Sequence, residues 1–321
     1  MASQDVEGGK TRPPTIDDLA AICKKLGMDI NLQNRNLISD ISEMKIDKRI
    51  FAFIEIGFVI LSGFIMSIAM KWLGIQFFAL PHLTFIFTAI FFRSIVSDWR
   101  PQDYGFKFYD IAYQIKLGLF IWTINQSYHS LLHVLSPLFQ LEKLGAMVFN
   151  IKTFDSLLDK IFKIGLFKAG VIETLRYFSY IQGLLMEVFN PALGSFMAFV
   201  YFGTSHMRIM NLITLPVSFL FVYFYRTYKL IIPVIIFHML GDSVSFIQIY
   251  LSYKGLYLYN VVVFIMLIFI LRIFRKEIKD ILVKIGAVIR EDYFWLWDNK
   301  FRAISLSLIL PAWLHLLLYL T

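Results

Sequence analysis

Long apolar runs recur along most of this sequence, and they constrain the fold more than any other feature. From Phe51 onward, apolar runs of about 18 residues or more are each long enough to cross roughly 30 Å of hydrocarbon at about 1.5 Å per residue. The composition agrees, because 58% of the 321 residues are hydrophobic and only 17% are charged. Helices satisfy their own backbone hydrogen bonds inside a bilayer. The sequence therefore predicts an all-α, polytopic integral membrane protein.

We predict about eight or nine transmembrane helices. They cover residues 51–71, 75–96, 112–135, 164–188, 191–206, 209–225, 230–251, 255–274 and 303–320. The last is short enough to be a re-entrant or interfacial segment instead. These spans divide the chain into a polar tail at 1–50, a transmembrane domain at 51–274, and a C-terminal part at 275–321 with a basic amphipathic segment and an apolar helix.

The basic residues indicate an orientation. Lys and Arg concentrate in the tail, in the loop at 93–107 and between Arg272 and Arg302. Because basic loops remain in the cytoplasm, we expect a cytoplasmic N-terminus, with the plasma membrane as the location. Two amphipathic segments, 142–165 and 275–302, are typical of helices in the membrane interface. The net charge of +8 then indicates contact with membrane lipid rather than with nucleic acid.

Ionisable side chains inside the predicted spans need an explanation, since each costs at least about 2.5 kcal/mol at membrane depth. The candidates are Glu55, Lys116, His129, His133, Glu173, Arg176, His206, His238, Asp242 and His315. His238 and Asp242 are four residues apart, which places them on one helix face, five residues after a proline that can bend the helix. His206 and Glu173 lie on two further spans. We predict that these three spans place Glu173, His206, His238 and Asp242 around one water-accessible pocket.

The chemistry of such a pocket is hydrolysis. A partly desolvated glutamate can take a proton from water and pass it to a leaving amine, while imidazoles orient the water and stabilise an oxyanion. Alternatively, Glu173, His206 and His238 can hold a divalent metal such as zinc with one coordination position open. Both mechanisms need the same residues, so the sequence leaves the metal open.

Three short motifs resemble those of the CPBP (also called ABI) intramembrane proteases, which include the CAAX prenyl endopeptidases of the Rce type. The first family motif is EExxxR within a phrase such as EEIIFRGYLQ, and "ETLRYFSYIQ" at 173–182 aligns with that phrase from Glu173 onward. The second, FxxxH, matches Phe202 and His206. The third, HxxxN or HxxxD, matches His238 and Asp242. The motifs are in family order, with 33 residues from Glu173 to His206 and 32 from His206 to His238.

The resemblance covers about residues 100–250 and implies a CPBP-type protease core. It implies that Glu173 and His206 activate water and that His238 and Asp242 bind the oxyanion. The implied substrates are membrane-associated or prenylated peptides, or bacteriocin-like peptides. The chain departs from the motif at Thr174 and Phe178, where the family has glutamate and arginine.

Several alternatives stay open at this level. Glu173 and Arg176 can form a buried ion pair at i, i+3 spacing, in which Arg176 partly substitutes for the missing arginine. His129 and His133 are interpreted as a structural or interfacial pair, and Glu55, Lys116 and His315 as packing or interface groups. The chain can also be a CPBP-fold pseudoprotease that acts as a membrane binding or immunity protein. A proton-coupled transporter, with His238 and Asp242 as a relay, is a further alternative.

Overall fold

The computed structural model describes residues 48–74, 80–96, 99–139, 151–205 and 211–308. Several predicted features lie outside these residues: the tail up to residue 47, His206, His315, and the last apolar segment beyond residue 308. Internal contacts divide the chain into Met1–Ile50 and Phe51–Thr321. The helices below belong to the second unit, apart from the first three residues of the first helix.

The described residues form helices and no strand, as the predicted all-α class requires. In chain order the elements are α1 (Lys48–Trp72), α2 (Leu80–Val96), α3 (Ile111–Phe139), α4 (Phe154–Lys160), π1 (Ile161–Glu173), π2 (Leu175–Gln182), α5 (Gly183–Val188), α6 (Pro191–Ser205), α7 (Asn211–Tyr228), α8 (Ile231–Tyr253), α9 (Tyr257–Ile273) and α10 (Arg275–Asp298). Residues 300–308 are also helical. Each predicted span up to residue 274 overlaps at least one of these helices.

Two described helices, α1 and α8, are long and apolar enough to cross a membrane, and α9 with α10 makes a third if that bent pair is one span. α2 is a shorter apolar helix. Large apolar side chains on α1 and α9 face outward, with Ile54 59% and Leu258 76% exposed. Such exposed apolar surface is typical of lipid contact. The described residues thus support a helical membrane protein with two or three candidate spans, and the count of eight or nine remains a prediction.

Prolines define the starts of two helices near the site. α6 begins at Pro191, and the side-chain oxygen of Asn190 accepts a hydrogen bond from the Leu193 N–H at 2.8 Å, as an N-cap residue does. Pro233 is the third residue of α8. The N–H groups in the first turn of a helix have no intrahelical carbonyl partner, so a proline at this position breaks no helical hydrogen bond. The helix bend predicted from the sequence at Pro233 is therefore not required.

The chain between Phe154 and Val188 is one continuous helical stretch whose middle is π-helical. The interfacial segment predicted at 142–165 therefore runs directly into the span predicted at 164–188. Leu157 is buried near Phe246 and Ile249 of α8, while Phe162 is 60% exposed. π-Helices are rare, mostly single turns, and frequently occur at functional sites. Here π1 and π2 meet at Thr174, inside the first protease-like motif.

Small residues let π1 approach α8 closely. A Cβ atom on Gly165 would lie 2.6 Å from the Ser243 hydroxyl, and one on Gly170 would overlap the side chain of Met239. Met239 and Ser243 are four residues apart and so share one face of α8. The i→i+5 hydrogen bonding of a π-helix brings residues five apart, such as these two glycines, near each other on its surface. This contact fixes the position of π1 along α8.

We predict that Gly170→Val destabilises the protein by about 1–3 kcal/mol, because the added methyl groups overpack the contact with α8. The matched control is Gly57→Val in α1, where an added Cβ meets no atom within 4 Å. Unfolding of the purified protein in detergent measures both. Equal stability of the two variants would contradict the close contact.

A buried ion pair joins α1, α2 and π2. Arg93 donates from Nε to Oε1 of Glu55 at 2.6 Å and also pairs with Oε2, and the Tyr180 hydroxyl donates to Oε1 at 2.9 Å. Glu55 and Arg93 are 2% and 3% exposed. The sequence predicted that Glu55 is a packing or interface group. Its charge is instead neutralised by Arg93, a residue that the sequence placed in the loop at 93–107.

Removing one partner of this pair leaves an uncompensated buried charge. We predict that Arg93→Met costs about 3–5 kcal/mol of stability, whereas the double variant Glu55→Leu/Arg93→Met loses much less. Tyr180→Phe, which removes a single hydrogen bond to the carboxylate, costs about 1.5–3 kcal/mol. Unfolding in detergent ranks the three, and a double variant less stable than Arg93→Met would refute the pairing.

α10 forms an amphipathic helix bent by 84° from α9. Ile278, Ile281 and Ile285 are buried on one face, and the helix packs against α6 and α7. Asp292 is 1% exposed and lies 3.4 Å from the Arg226 guanidinium of α7. Burial raises the pKa of the Asp292 carboxyl, and the positive charge of Arg226 offsets part of this rise. The basic segment predicted at 275–302 therefore lies against the helix bundle on its apolar face.

Candidate active site

The candidate site is built around His238, on the second turn of α8. Its Nδ1 lies 3.0 Å from the hydroxyl of Thr174, at the junction of π1 and π2. Thr174 is fully buried and His238 is 5% exposed. Thr174 occupies the position where the family has its second glutamate. The side chain that departs from the motif therefore contacts the histidine of the third motif.

Aromatic rings form the wall beside this histidine. The Phe221 and Phe202 ring centroids lie 4.6 and 6.2 Å from that of His238. Phe178, in the position of the motif's arginine, packs between these two phenylalanines with centroids at 5.1 and 5.0 Å. The space around Phe178 is thus filled by aromatic rings.

All three motif segments meet in this region. Phe202 of the second motif packs on Tyr177 at 4.9 Å and on His238 at 6.2 Å, which joins the first, second and third motifs. Asp242 lies one turn beyond His238 on α8 and is half-buried. His206 follows Phe202 by four residues but lies outside the described residues. The structure therefore brings the three segments together and leaves the position of the second-motif imidazole as a prediction.

Glu173 pairs with a lysine rather than with the arginine expected from the sequence. The Lys168 ammonium lies 3.8 Å from Oε1 of Glu173, and the two side chains are 37% and 18% exposed. Arg176 instead donates to the Tyr201 hydroxyl at 3.3 Å and lies over the Phe85 ring at 4.5 Å. Among the described residues no salt bridge joins Glu173 to Arg176, the pairing that the sequence left open, although the two groups lie within electrostatic range. The reason is the π-helical turn, which brings residues five apart together instead of residues three apart.

His82, near the start of α2, was missed by the sequence analysis. It lies within electrostatic range of Lys168, Glu173 and Arg176, and so adds an imidazole to the surroundings of Glu173. Its sequence context, "LPHLTF", carries no spacing that relates it to the motifs. Only its position in an apolar run, where ionisable groups are costly, could have added it to the candidates.

Two of the other ionisable candidates have aromatic neighbours of their own on α3. Lys116 lies over the Phe120 ring at 5.4 Å, and His129 contacts Tyr128 edge-on at 5.7 Å. Within the described ranges, no three His, Cys, Asp or Glu residues are grouped to hold a metal. The predicted zinc ligands Glu173, His206 and His238 include a residue outside those ranges, so the zinc site stays a prediction.

Comparisons of the chain with protein-family models, with curated proteins and with solved structures found no match. The resemblance to the CPBP proteases therefore rests on the motif residues alone.

The Thr174–His238 hydrogen bond gives a direct prediction. Thr174→Val removes the hydroxyl and costs about 1 kcal/mol, whereas Thr174→Ser keeps the bond and the stability. In protein labelled with ¹⁵N-histidine, the Nδ1 resonance of His238 shifts in the valine variant and stays in place in the serine variant. His238→Gln assigns that resonance. An Nδ1 resonance of His238 that has the same position in the wild type, Thr174→Val and Thr174→Ser would contradict the contact.

Proposed function

We propose that this protein is an intramembrane endopeptidase of the CPBP type. It hydrolyses a peptide bond of a membrane-associated or lipidated peptide with water activated by Glu173 and His206. The observation that carries the proposal is the 3.0 Å contact between Thr174 and His238, which sets the glutamate-bearing turn directly beside the third motif.

Each side chain has a role in the proposed reaction. Glu173 accepts a proton as the water oxygen attacks the carbonyl carbon, and then delivers that proton to the amine nitrogen as the C–N bond breaks. Lys168, 3.8 Å away, supplies a counter-charge that keeps the carboxylate in a partly buried position. In the tautomer in which the Thr174 hydroxyl donates to Nδ1 of His238, rather than to the Ala169 carbonyl, the ring proton lies on Nε2. There it donates to the oxyanion together with Asp242 in its protonated form.

The two departures from the family motif fit this scheme. In place of a second carboxylate, the Thr174 hydroxyl orients the His238 ring. In place of the arginine, Phe178 stacks on Phe221 and leaves no buried charge that would need a partner. Lys168 balances Glu173 from one π-turn earlier. The catalytic carboxylate and both motif histidines are retained in the sequence.

A zinc ion is compatible with the same residues. Because Thr174 contacts Nδ1, Nε2 is the His238 nitrogen available as a ligand, together with Glu173 and His206. A bound metal would supply Lewis-acid polarisation of the water or carbonyl.

The proposed orientation is a cytoplasmic N-terminus, with the plasma membrane as location. Several contacts bring basic segments to one end of the bundle: Trp99 bonds Glu187 at 2.9 Å, the Ile231 N–H bonds the Gly105 carbonyl at 3.0 Å, and Arg226 approaches Asp292. By the positive-inside rule this end faces the cytoplasm.

Hydrolysis of a farnesylated peptide carrying a fluorophore and quencher across its C-terminal cleavage site, with the full chain in nanodiscs, tests the proposal. We expect cleavage by the wild type and a rate about 10²–10⁴-fold lower for Glu173→Gln, since the general base is lost. Glu277→Gln, at an exposed position of α10, is the matched control. Cleavage that is unaffected by Glu173→Gln would exclude this site as the catalyst.

A second candidate is a CPBP-fold protein that binds a membrane peptide without cutting it. It is favoured by the aromatic packing of Phe178 between Phe202 and Phe221, where the family has a charged side chain. This candidate predicts that the wild type binds the peptide without cutting it. It also predicts that Glu173→Gln binds the peptide as tightly as the wild type does and likewise leaves it uncut.

A further inference from the structure

Two adjoining cavities lie beside the candidate active site: Leu175, Ser179 and Tyr180 of the first motif line one of them, whereas Glu173, His238 and Asp242 line neither. One, of about 330 Å³, is apolar and lies between α2, residues 99–106 and π2, with Ala89 and Leu175 in its wall. The other, of about 580 Å³, is polar and lies at the basic end of the bundle. Trp99 lines both cavities. An apolar cavity and a charged cavity thus share Trp99 as a wall residue.

The polar cavity is lined by two carboxylates and two lysines, and its lysines can receive an anion. Of its two acids, Asp103 accepts the Arg100 N–H at 2.7 Å, and Glu187 accepts the Trp99 indole N–H at 2.9 Å. Lys107 and Lys229 also line this cavity. Neither ammonium group forms a salt bridge with any of the residues that the structure describes. Two cations are therefore available to a ligand, whereas the carboxylates already accept hydrogen bonds.

The apolar cavity carries one hydrogen-bond donor. Tyr104 lines it and is 8% exposed, and its hydroxyl has no hydrogen-bond partner among the described residues. Burial raises the pKa of this phenol above its usual range, so the hydroxyl keeps its proton and can donate. A buried donor without an acceptor costs about 1–3 kcal/mol, which a ligand carbonyl would recover.

We propose that the two cavities together bind one anionic phospholipid. The phosphate lies at Lys107 and Lys229, the glycerol passes Trp99, an ester carbonyl accepts from Tyr104, and one acyl chain fills the apolar cavity. A free phosphate would use only the lysines, and a purely apolar molecule would leave them without an anion. The site is separate from the proposed catalytic side chains that the structure describes, because Glu173, His238 and Asp242 are absent from both cavity walls.

Tryptophan quenching by brominated lipid tests this site. In a full-length variant that retains only Trp99, with the other five tryptophans replaced by Phe, phosphatidylglycerol with a brominated chain is titrated into nanodiscs of unbrominated phosphatidylcholine. We expect quenching that saturates at a low fraction of the brominated lipid. Lys107→Gln and Lys229→Gln each weaken the apparent affinity about fivefold, as loss of one lysine near an anionic headgroup predicts. Lys276→Gln, exposed on α10, leaves it unchanged.

Three further results separate this site from the alternatives. Ser94→Phe, at an exposed edge of the apolar cavity, is expected to abolish saturable quenching without disturbing the core, and Ala287→Phe on α10 is its control. Quenching that rises linearly with brominated lipid and is unchanged by the lysine variants would mean general bilayer contact and overturn the proposal. Displacement of the lipid by millimolar inorganic phosphate, with the Ser94→Phe variant behaving like wild type, would mean a free-anion site and overturn it as well.

Discussion

The close packing of π1 against α8 is the contact on which the rest of the candidate site depends. Gly165 and Gly170 remove the side chains that would hold the two helices apart, so Met239 and Ser243 contact the π1 backbone directly. The π-helical turn then places Thr174 against Nδ1 of His238 and Lys168 beside Glu173. An ordinary α-helical turn over the same residues would pair positions three and four apart and would change both contacts.

The second constraint is the cost of burying charge in the helix bundle. Glu55 is neutralised by Arg93, Glu173 lies beside Lys168, and Arg176 is held by the Tyr201 hydroxyl and the Phe85 ring. These arrangements differ in exposure. The Glu55–Arg93 pair is almost completely buried and serves the fold, whereas Glu173 keeps part of its surface accessible, as a group that meets water requires.

Much of the helical organisation follows from the sequence, because long apolar runs and helix-starting prolines such as Pro191 act locally. The motif spacing also predicted that the segments of Glu173, Phe202 and His238 would meet. The partners of the charges could not be predicted in the same way. A pairing of Arg176 with Glu173 was left open on the basis of α-helical spacing, and the π-helix changes that spacing. Arg93 and His82 were missed because their partners lie on helices distant in sequence.

Cysteine crosslinking measures the central geometric claim directly, namely that the carboxylate and the second-motif imidazole face one hollow beside His238. In a Cys23→Ser background, Glu173→Cys/His206→Cys is oxidised in membranes, with Thr174→Cys/His238→Cys as the positive control for two side chains already in contact. The account predicts that both pairs form a disulfide. A control pair that crosslinks while the 173/206 pair does not would contradict it.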